Sequence, residues 1–114
     1  MLILKATKEN AIKVFSEARK KQEPVIFPTD TIYGLGGFFD DIYSNEKIFE
    51  LKKRDKTKPF PIIISNFRQL EKLKVNISND QDEILKKFWP GKFTFILESS
   101  LKLHYCLSEG KVAV

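Results

Sequence analysis

The order of apolar and polar positions in the first quarter of the chain predicts a strand, a helix and a second strand. The run Leu2–Leu4 favours a short strand, and Thr7 is placed to cap the helix that follows. Apolar residues recur along one face of this helix, at Ala11, Val14, Phe15 and Ala18. The helix ends in basic residues, which suit the negative end of its dipole. Pro24 bounds it, and residues 25–27 form a β-rich run closed by Pro28.

The middle of the chain predicts a second helix and then a buried strand. The helix begins near Ser44, and its buried apolar residues are expected to be Ile48, Phe49 and Leu51. It runs into the basic residues 52–54. The segment Phe60–Ser65 then contains the run Ile62–Ile64, as expected of a strand that is covered on both faces.

The last part of the chain predicts two further helices and two further strands. Asn66 is placed to cap a short helix that carries Leu70 and Leu73. Another helix follows Asp80 and stops at Trp89–Gly91. The inward residues of that helix are expected to be Ile84, Leu85 and Phe88. Residues 93–97 and 112–114 favour strands.

Helices that alternate with buried strands indicate the α/β fold class, with a twisted mixed sheet and flanking helices. The chain has 114 residues, of which 42% are hydrophobic, so we predict a single domain over residues 1–114.

The apolar runs of the chain are far shorter than the roughly 20 residues that cross a membrane, and one cysteine excludes an intrachain disulfide. These features predict a cytoplasmic protein. Because the chain ends inside an apolar strand pattern, we expect the C-terminal portion of the domain to be missing.

The chain has a single histidine and a single cysteine, His104 and Cys106. They cannot supply the roughly four ligands of a zinc site, so we predict no metal site. His104 has no matched partner and receives no role. Cys106 is predicted to be a small buried residue, because nothing near it in the sequence would activate a thiol.

Positive charge is concentrated in one segment of the chain. The formal net charge is +5, and five cations fall within Lys52–Lys58. The dipole of the preceding helix, worth about 0.3–1 kcal/mol per charge, accounts for Lys52 and Lys53. Lys56 and Lys58 lie beyond the helix, where crowded cations suit an anion such as a polyphosphate. A solvated charged loop and a phosphate site are both compatible with this run.

The segment Phe27–Gly37, FPTDTIYGLGG, follows a predicted strand and is crowded with polar groups and glycines. Ligands of α/β proteins bind where strands end, so this segment and the cationic loop would form a cleft if they share a sheet edge. The glycines lack the P-loop spacing and indicate positive-φ bends or close backbone approach. Asp30 is expected to make local hydrogen bonds rather than to catalyse. Tyr33 is compatible with a substrate contact and with a half-buried core position.

Several segments together resemble the YrdC-like family of threonylcarbamoyl-AMP synthases. The first is PTDTIYGLG over residues 28–36, and the second is the K-x-R pattern at 52–54 with Lys58 before an apolar segment. The third is WPGKFT over residues 89–94. Residues 112–114 resemble the start of the family's V-A-V-R strand. These segments occur in the family's order and cover nearly the whole chain.

The resemblance implies a fold with a basic concave surface and a nucleotidyltransferase activity. L-threonine, bicarbonate and ATP, with Mg²⁺, would give threonylcarbamoyl-adenylate and pyrophosphate. The product would serve tRNA modification, so tRNA or double-stranded RNA and downstream threonylcarbamoyl transferase proteins are implied partners. Thr31 would contact L-threonine, and Thr94 would lie near the nucleotide. Lys52, Arg54 and Lys58 would bind the ATP phosphates and the carboxylate-bearing intermediate.

The sequence also departs from the family pattern. The family continues after V-A-V with an arginine and later an S-x-N element, both beyond Val114, and often has small or hydrophobic residues where Asp55 and Lys56 stand. We therefore expect either a fragment of a longer enzyme or a shortened homologue. Two alternatives stay open: an RNA-binding module without catalysis, and a carbamoyl-adenylate-forming domain like that of hydrogenase maturation factors.

Overall fold

The computed structural model of the chain describes residues 2–102, the backbone of residues 107 and 108, and residues 110–114. Contacts within the chain group it into two compact units, residues 1–55 and residues 56–114. The helices and strands of both units confirm the predicted α/β class. The single domain predicted over the whole chain stays a prediction. His104 and Cys106 lie outside the described residues.

The described part of the first unit consists of two helices and a hairpin. These are α1 (Lys8–Lys21), β1 (Val25–Phe27), β2 (Gly34–Gly36) and α2 (Ile42–Lys52). The helix predicted after Thr7 is confirmed, because the Thr7 hydroxyl accepts the Asn10 N–H at 3.2 Å as an N-cap. Leu2–Leu4, predicted to be a strand, is not one, since these residues pair with no described strand and Ile3 is 82% exposed.

Helix α1 packs on the hairpin through aromatic side chains. The Phe15 ring lies 6.1 Å from the Phe27 ring and 6.2 Å from the Phe38 ring, measured between centroids. Ala18 is the buried residue of the predicted apolar face, while Ala11 at the start of that face is exposed. The hairpin is therefore covered on the face that carries Phe27.

The glycines of the hairpin allow close approach and do not provide positive-φ bends. Strands β1 and β2 are antiparallel, with Phe27 opposite Gly34. A Cβ added at Gly34 or at Gly36 would lie 3.0 Å from the Phe27 ring, so the ring occupies the space of both missing side chains. Gly37 is closer still to its neighbour, with an added Cβ only 2.1 Å from Ser44 Oγ. Of the two predicted roles of these glycines, close approach is confirmed, because the Phe27 and Ser44 side chains lie against the glycine backbone.

Helix α2 begins earlier than predicted and buries fewer apolar residues. Its N-cap is the buried Asp41, whose carboxylate accepts the Ser44 N–H at 3.2 Å, so the helix starts at Ile42. Ile48 and Phe49 are buried as predicted. Leu51 is 68% exposed, and the expectation that it is buried was wrong. It lies in the last turn of α2 between the exposed Glu50 and Lys52, on the side of the helix away from the buried Phe49.

The described part of the second unit forms a small sheet with two helices. Its elements are α3 (Gln69–Lys72), β3 (Val75–Asn76), α4 (Asn79–Phe88), β4 (Ile96–Ser99), β5 (Leu107–Ser108) and β6 (Lys111–Ala113). The strand order is β3-β4-β6-β5, and every neighbouring pair is antiparallel. Leu97 and Val112 lie opposite each other and are buried at the centre of the sheet. The predicted strands at 93–97 and 112–114 are thus confirmed with shifted bounds.

Helix α4 is fixed at its start by a capping box. Ser78 accepts the Gln81 N–H at 3.2 Å, and the Gln81 side chain accepts the Ser78 N–H at 3.0 Å. Leu85 is buried as predicted, at 1% exposure. Ile84 is 48% exposed, so its predicted inward position was wrong. Phe88 is 38% exposed, and its ring packs against those of Phe93 and Phe95, with centroids 4.9 and 6.5 Å away. Leu85 and the partly covered Phe88 therefore mark the packed side of this amphipathic helix.

Two further predictions for this unit are corrected. Asn66 does not cap α3, whose N-cap position is Arg68 without a side-chain hydrogen bond. Leu70 and Leu73 are nevertheless buried as expected. Phe60–Ser65 is not a strand covered on both faces. Ile62 donates its N–H to Ala113 at 2.8 Å beside β6, but Ile63 is 78% exposed, which is the alternation of a segment covered on one face.

Candidate functional site

The turn between β1 and β2 is organised by the side chain of Thr29. Its Oγ1 accepts the Thr31 N–H at 3.2 Å and lies 3.4 Å from Thr31 Oγ1. The same hydroxyl donates to the Ile32 carbonyl. Both threonines are exposed, so this is a local side-chain–backbone turn whose second hydroxyl, that of Thr31, faces solvent.

Asp30 and Tyr33, two neighbours of Thr31, are candidates for roles at this site. Tyr33 is 74% exposed, so the half-buried core position was wrong, and its substrate contact stays a prediction. Asp30 is exposed within the same turn, and its predicted local hydrogen bonding stays a prediction. Ile32, between them, is 78% exposed. The turn therefore presents apolar and polar side chains together.

The end of α2 sets the positions of Lys52 and Arg54. Lys53 adopts the left-handed conformation with φ of 48°, and its N–H donates to Glu50 at 3.2 Å. The Arg54 N–H donates to Phe49 at 3.0 Å, which completes a Schellman motif. The motif reverses the chain direction at Lys53, with Lys52 on the last turn of the helix and Arg54 just past it. Two of the predicted phosphate-binding side chains thus flank one fixed bend.

The turn after α4 holds Thr94 on the surface of the second unit. The Trp89 indole N–H donates to the Phe93 carbonyl at 2.9 Å, and its ring meets Phe95 edge-on at 5.3 Å between centroids. The Trp89–Pro90 peptide bond is cis. Thr94 lies between the two anchored residues and is exposed. Trp89 therefore acts as the structural anchor of this segment.

The predicted site residues are divided between the two units. Thr31, Lys52 and Arg54 belong to residues 1–55, while Lys58 and Thr94 belong to residues 56–114. Lys58 is exposed in the segment that leads to Phe60. The hypothesis of a common cleft that includes residues of both units stays a prediction.

A cleft that sequence reasoning did not anticipate lies between α1 and the start of α2. It has a volume of about 230 Å³ and is lined by Arg19, Gln22, Asp40 and Asp41. Arg19 pairs with Asp40 through two hydrogen bonds of 2.5 and 2.9 Å and stacks over Phe38, 4.7 Å from the ring centroid. The hydrogen bond to Asp40 raises the pKa of Arg19; desolvation opposes the rise, and the Asp40 and Asp41 charges add to it.

Arg19 and Asp40 are 21 positions apart, and no sequence motif links them. A basic residue in the last turn of a helix was the only available signal. Among the described residues, no group of three His, Cys, Asp or Glu side chains is arranged to hold a metal ion. No helix in that part of the chain is long and apolar enough to cross a membrane.

Comparison with known proteins places this fold in a family. The model of the Sua5/YciO/YrdC family, described as telomere recombination, matches residues 17–114. The chain belongs to this family. The YrdC-like resemblance of its motifs is thereby confirmed.

Relatives of this Sua5/YciO/YrdC domain are named threonylcarbamoyl-AMP synthases. The protein from Pyrococcus abyssi is 42% identical over 76 residues, which are 67% of this chain and 22% of the relative. The protein from Psychromonas ingrahamii is 32% identical over 111 residues, which are 95% of this chain and 56% of the relative. The chain thus spans only part of the length of these relatives.

Solved structures of the family share the fold. A doubly substituted variant of P. abyssi Sua5 superposes with a TM-score of 0.83 and 34% identity, over 95% of this chain and 34% of that chain. Escherichia coli YciO gives a TM-score of 0.74 at 20% identity, over 93% of this chain and 52% of that chain, which is a likeness of fold.

Proposed function

We propose that this Sua5/YciO/YrdC domain takes part in the synthesis of threonylcarbamoyl-AMP from L-threonine, bicarbonate and ATP. The observation that carries the proposal is its 42% identity to a protein named for this activity. The hydroxyl-bearing turn at Thr29–Ile32 and the cationic bend at Lys52–Arg54 give the proposal its chemistry. We further propose that the protein is cytoplasmic and that its product serves tRNA modification.

Thr31 would bind L-threonine in this proposal. Its hydroxyl is exposed at the tip of an ordered turn, where a small polar ligand can reach it. Ile32 and Tyr33 are largely exposed beside it and would cover the aliphatic part of the amino acid. A hydroxyl flanked by apolar surface suits a ligand that is small, polar at one end and methylated at the other.

Lys52, Arg54, Lys58 and Thr94 would bind the nucleotide. Carbamylated threonine and ATP are both anionic, so cations must offset their repulsion before a carbamate oxygen attacks the α-phosphorus and pyrophosphate leaves. Such a site works by positioning and charge stabilisation, with no protein nucleophile. Mg²⁺ would arrive with ATP, bound by phosphate oxygens and water, as is usual for nucleotide substrates.

The proposal is tested by measuring pyrophosphate release from ATP. We expect release that requires both L-threonine and bicarbonate, and that falls strongly in Arg54→Ala and Lys58→Ala. Lys13→Ala, which removes an exposed lysine from α1, is the matched charge control and should retain activity. Folded protein that releases no pyrophosphate under these conditions would refute the synthase function. A requirement for carbamoyl phosphate in place of threonine would instead favour the carbamoyl-adenylate reaction.

A second candidate function is RNA binding, favoured by the charge of the second unit. Residues 56–114 contain ten Lys and Arg residues against six Asp and Glu residues. Phe93 is 56% exposed and adjacent to Lys92, and an exposed aromatic ring beside a cation suits nucleic acid. Fluorescence anisotropy with labelled tRNA over a salt series tests this function. Binding that survives Arg54→Ala and Lys58→Ala but is lost in Lys92→Ala would separate the RNA surface from the ATP site.

A further inference from the structure

We propose that Thr29 is a positioning residue that fixes the direction of the Thr31 hydroxyl, so that Thr31 accepts a hydrogen bond from the amino group of the substrate. The inference rests on the proposed function and adds to it a positioning residue and the direction of the hydrogen bonds at Thr31. Three contacts of a single oxygen atom, Thr29 Oγ1, carry the inference: those with Thr31 N, Thr31 Oγ1 and the Ile32 carbonyl.

The number of hydrogens on each hydroxyl determines which group donates and which accepts in these three contacts. The Thr29 hydroxyl has one hydrogen, which it donates to the Ile32 carbonyl. Its lone pairs are then left as acceptors, and one of them takes the Thr31 N–H at 3.2 Å. The contact of 3.4 Å between the two hydroxyls can therefore be a hydrogen bond only with Thr31 as donor.

The direction of the hydrogen bond from Thr31 to Thr29 determines which ligand groups Thr31 can bind. Once its hydrogen is directed at Thr29, the Thr31 oxygen presents only lone pairs to a ligand. An ammonium group, or the N–H into which it is converted when the carbamate forms, can donate to those lone pairs. A carboxylate offers only acceptors and cannot. The arrangement thus excludes the carboxylate from Thr31 and leaves it to the cationic residues. Of the two donors of L-threonine, the charged ammonium group forms a stronger hydrogen bond than the hydroxyl, so we assign the amino group to Thr31.

The surroundings of Thr29 permit a clean substitution. Its Cγ2 methyl lies 3.5 Å from the position of a Cβ added at Gly34, so this methyl faces the hairpin. Thr29→Val keeps the Cγ2 methyl group and the β-branched shape and replaces the hydroxyl with a second methyl group. Thr29→Ser keeps the hydroxyl and removes the methyl group. The pair separates the hydrogen-bonding role from the packing role.

The test is a titration of L-threonine by isothermal calorimetry into the folded wild-type chain and four variants. We expect Thr29→Val to bind about 3- to 10-fold more weakly, the size of one net hydrogen bond, and Thr29→Ser to bind like wild type. Thr31→Val should also bind more weakly. Thr29→Val should have no further effect in the Thr31→Val background, because its influence acts through the Thr31 hydroxyl. Affinity for ATP should be the same in all five proteins.

Each outcome bears on one hypothesis. If the wild-type chain is folded by circular dichroism but does not bind L-threonine, the proposed function is wrong. If the wild type binds and Thr29→Val binds equally well, the positioning role is wrong. Additive losses in the double variant, or a parallel loss of ATP affinity, would show that Thr29 only supports the fold of the turn. A fifth variant, Ser16→Ala, removes an exposed hydroxyl on α1; it is the matched control and should bind like wild type.

Discussion

Gly37 offers a sharp test of how the hairpin is joined to α2. A Cβ added at this position would lie 2.1 Å from Ser44 Oγ, 3.2 Å from Ser44 Cβ and 3.7 Å from Ile48 Cδ1. Ser44 is 1% exposed on a capped helix, so it cannot swing into solvent to make room. Overpacking of this kind costs about 1–3 kcal/mol, against roughly 0.4–1 kcal/mol gained from a stiffer unfolded chain. We expect Gly37→Ala to lower the free energy of unfolding by about 1–2 kcal/mol.

Ser44 provides the second arm of this experiment. Its hydroxyl is buried and has no hydrogen-bond partner among the described residues, so Ser44→Ala removes a group that is itself unfavourable to bury. We expect this variant to be as stable as the wild type or more stable. In Gly37→Ala combined with Ser44→Ala, the 2.1 Å contact disappears, and the contacts of 3.2 Å to Ser44 Cβ and 3.7 Å to Ile48 Cδ1 remain. The double variant should therefore recover most of the loss.

Urea unfolding followed by far-UV circular dichroism measures all three variants against the wild type. One kcal/mol corresponds to a shift of about 2–8 °C in Tm, so a thermal melt provides an independent measurement. Ser16→Ala is the control for the substitution of an exposed serine in a helix. Losses that simply add in the double variant, or a Gly37→Ala protein as stable as the wild type, would refute the steric reasoning.

Three further predictions concern stability. Ser78→Ala removes the capping box of α4 and should lower the free energy of unfolding by about 0.5–2 kcal/mol in urea titrations. Lys53→Gly relieves a non-glycine residue with φ of 48° and should stabilise the protein by up to about 1 kcal/mol in the same assay. Arg19→Ala breaks an ion pair whose side chains are 48% and 46% exposed and removes the stack over Phe38, so it should cost about 1–2 kcal/mol, and less in high salt. Because pairing raises the pKa of Arg19, the ion-pair contribution should hold at neutral pH and be lost as strongly alkaline pH deprotonates the guanidinium.

Local signals in the sequence were enough to predict the helices. Thr7 caps α1 as its residue type predicts, because a capping hydrogen bond involves neighbours only three positions apart. The start of α2 was missed by two residues because Asp41, rather than a residue near Ser44, supplies the cap. Burial was harder to predict. The exposed side chains of Leu51 and Ile63 show that an apolar pattern identifies candidates for burial, whereas the neighbours that cover them are set by tertiary packing.

In the candidate site, too, local features could be predicted from the sequence, whereas contacts between distant positions could not. The segment that contains Thr31 could be singled out from its sequence because a turn crowded with hydroxyls and glycines is a local feature. The part played by Thr29 was missed, although two threonines separated by one residue are a recognisable signal for a side-chain–backbone turn. The pairing of Arg19 with Asp40 joins distant positions of the chain, and only the folded structure brings them together.

The ring of Phe27, lying over Gly34 and Gly36, makes three positions depend on one another. Each glycine is required only as long as an aromatic ring fills the space above it, 3.0 Å from where its Cβ would be. A smaller side chain at position 27 would free that space and allow alanine at either glycine. Substitutions at these three positions should therefore occur together among related sequences and not independently. A library randomised at all three should return either Phe with two glycines or a small aliphatic residue with alanine.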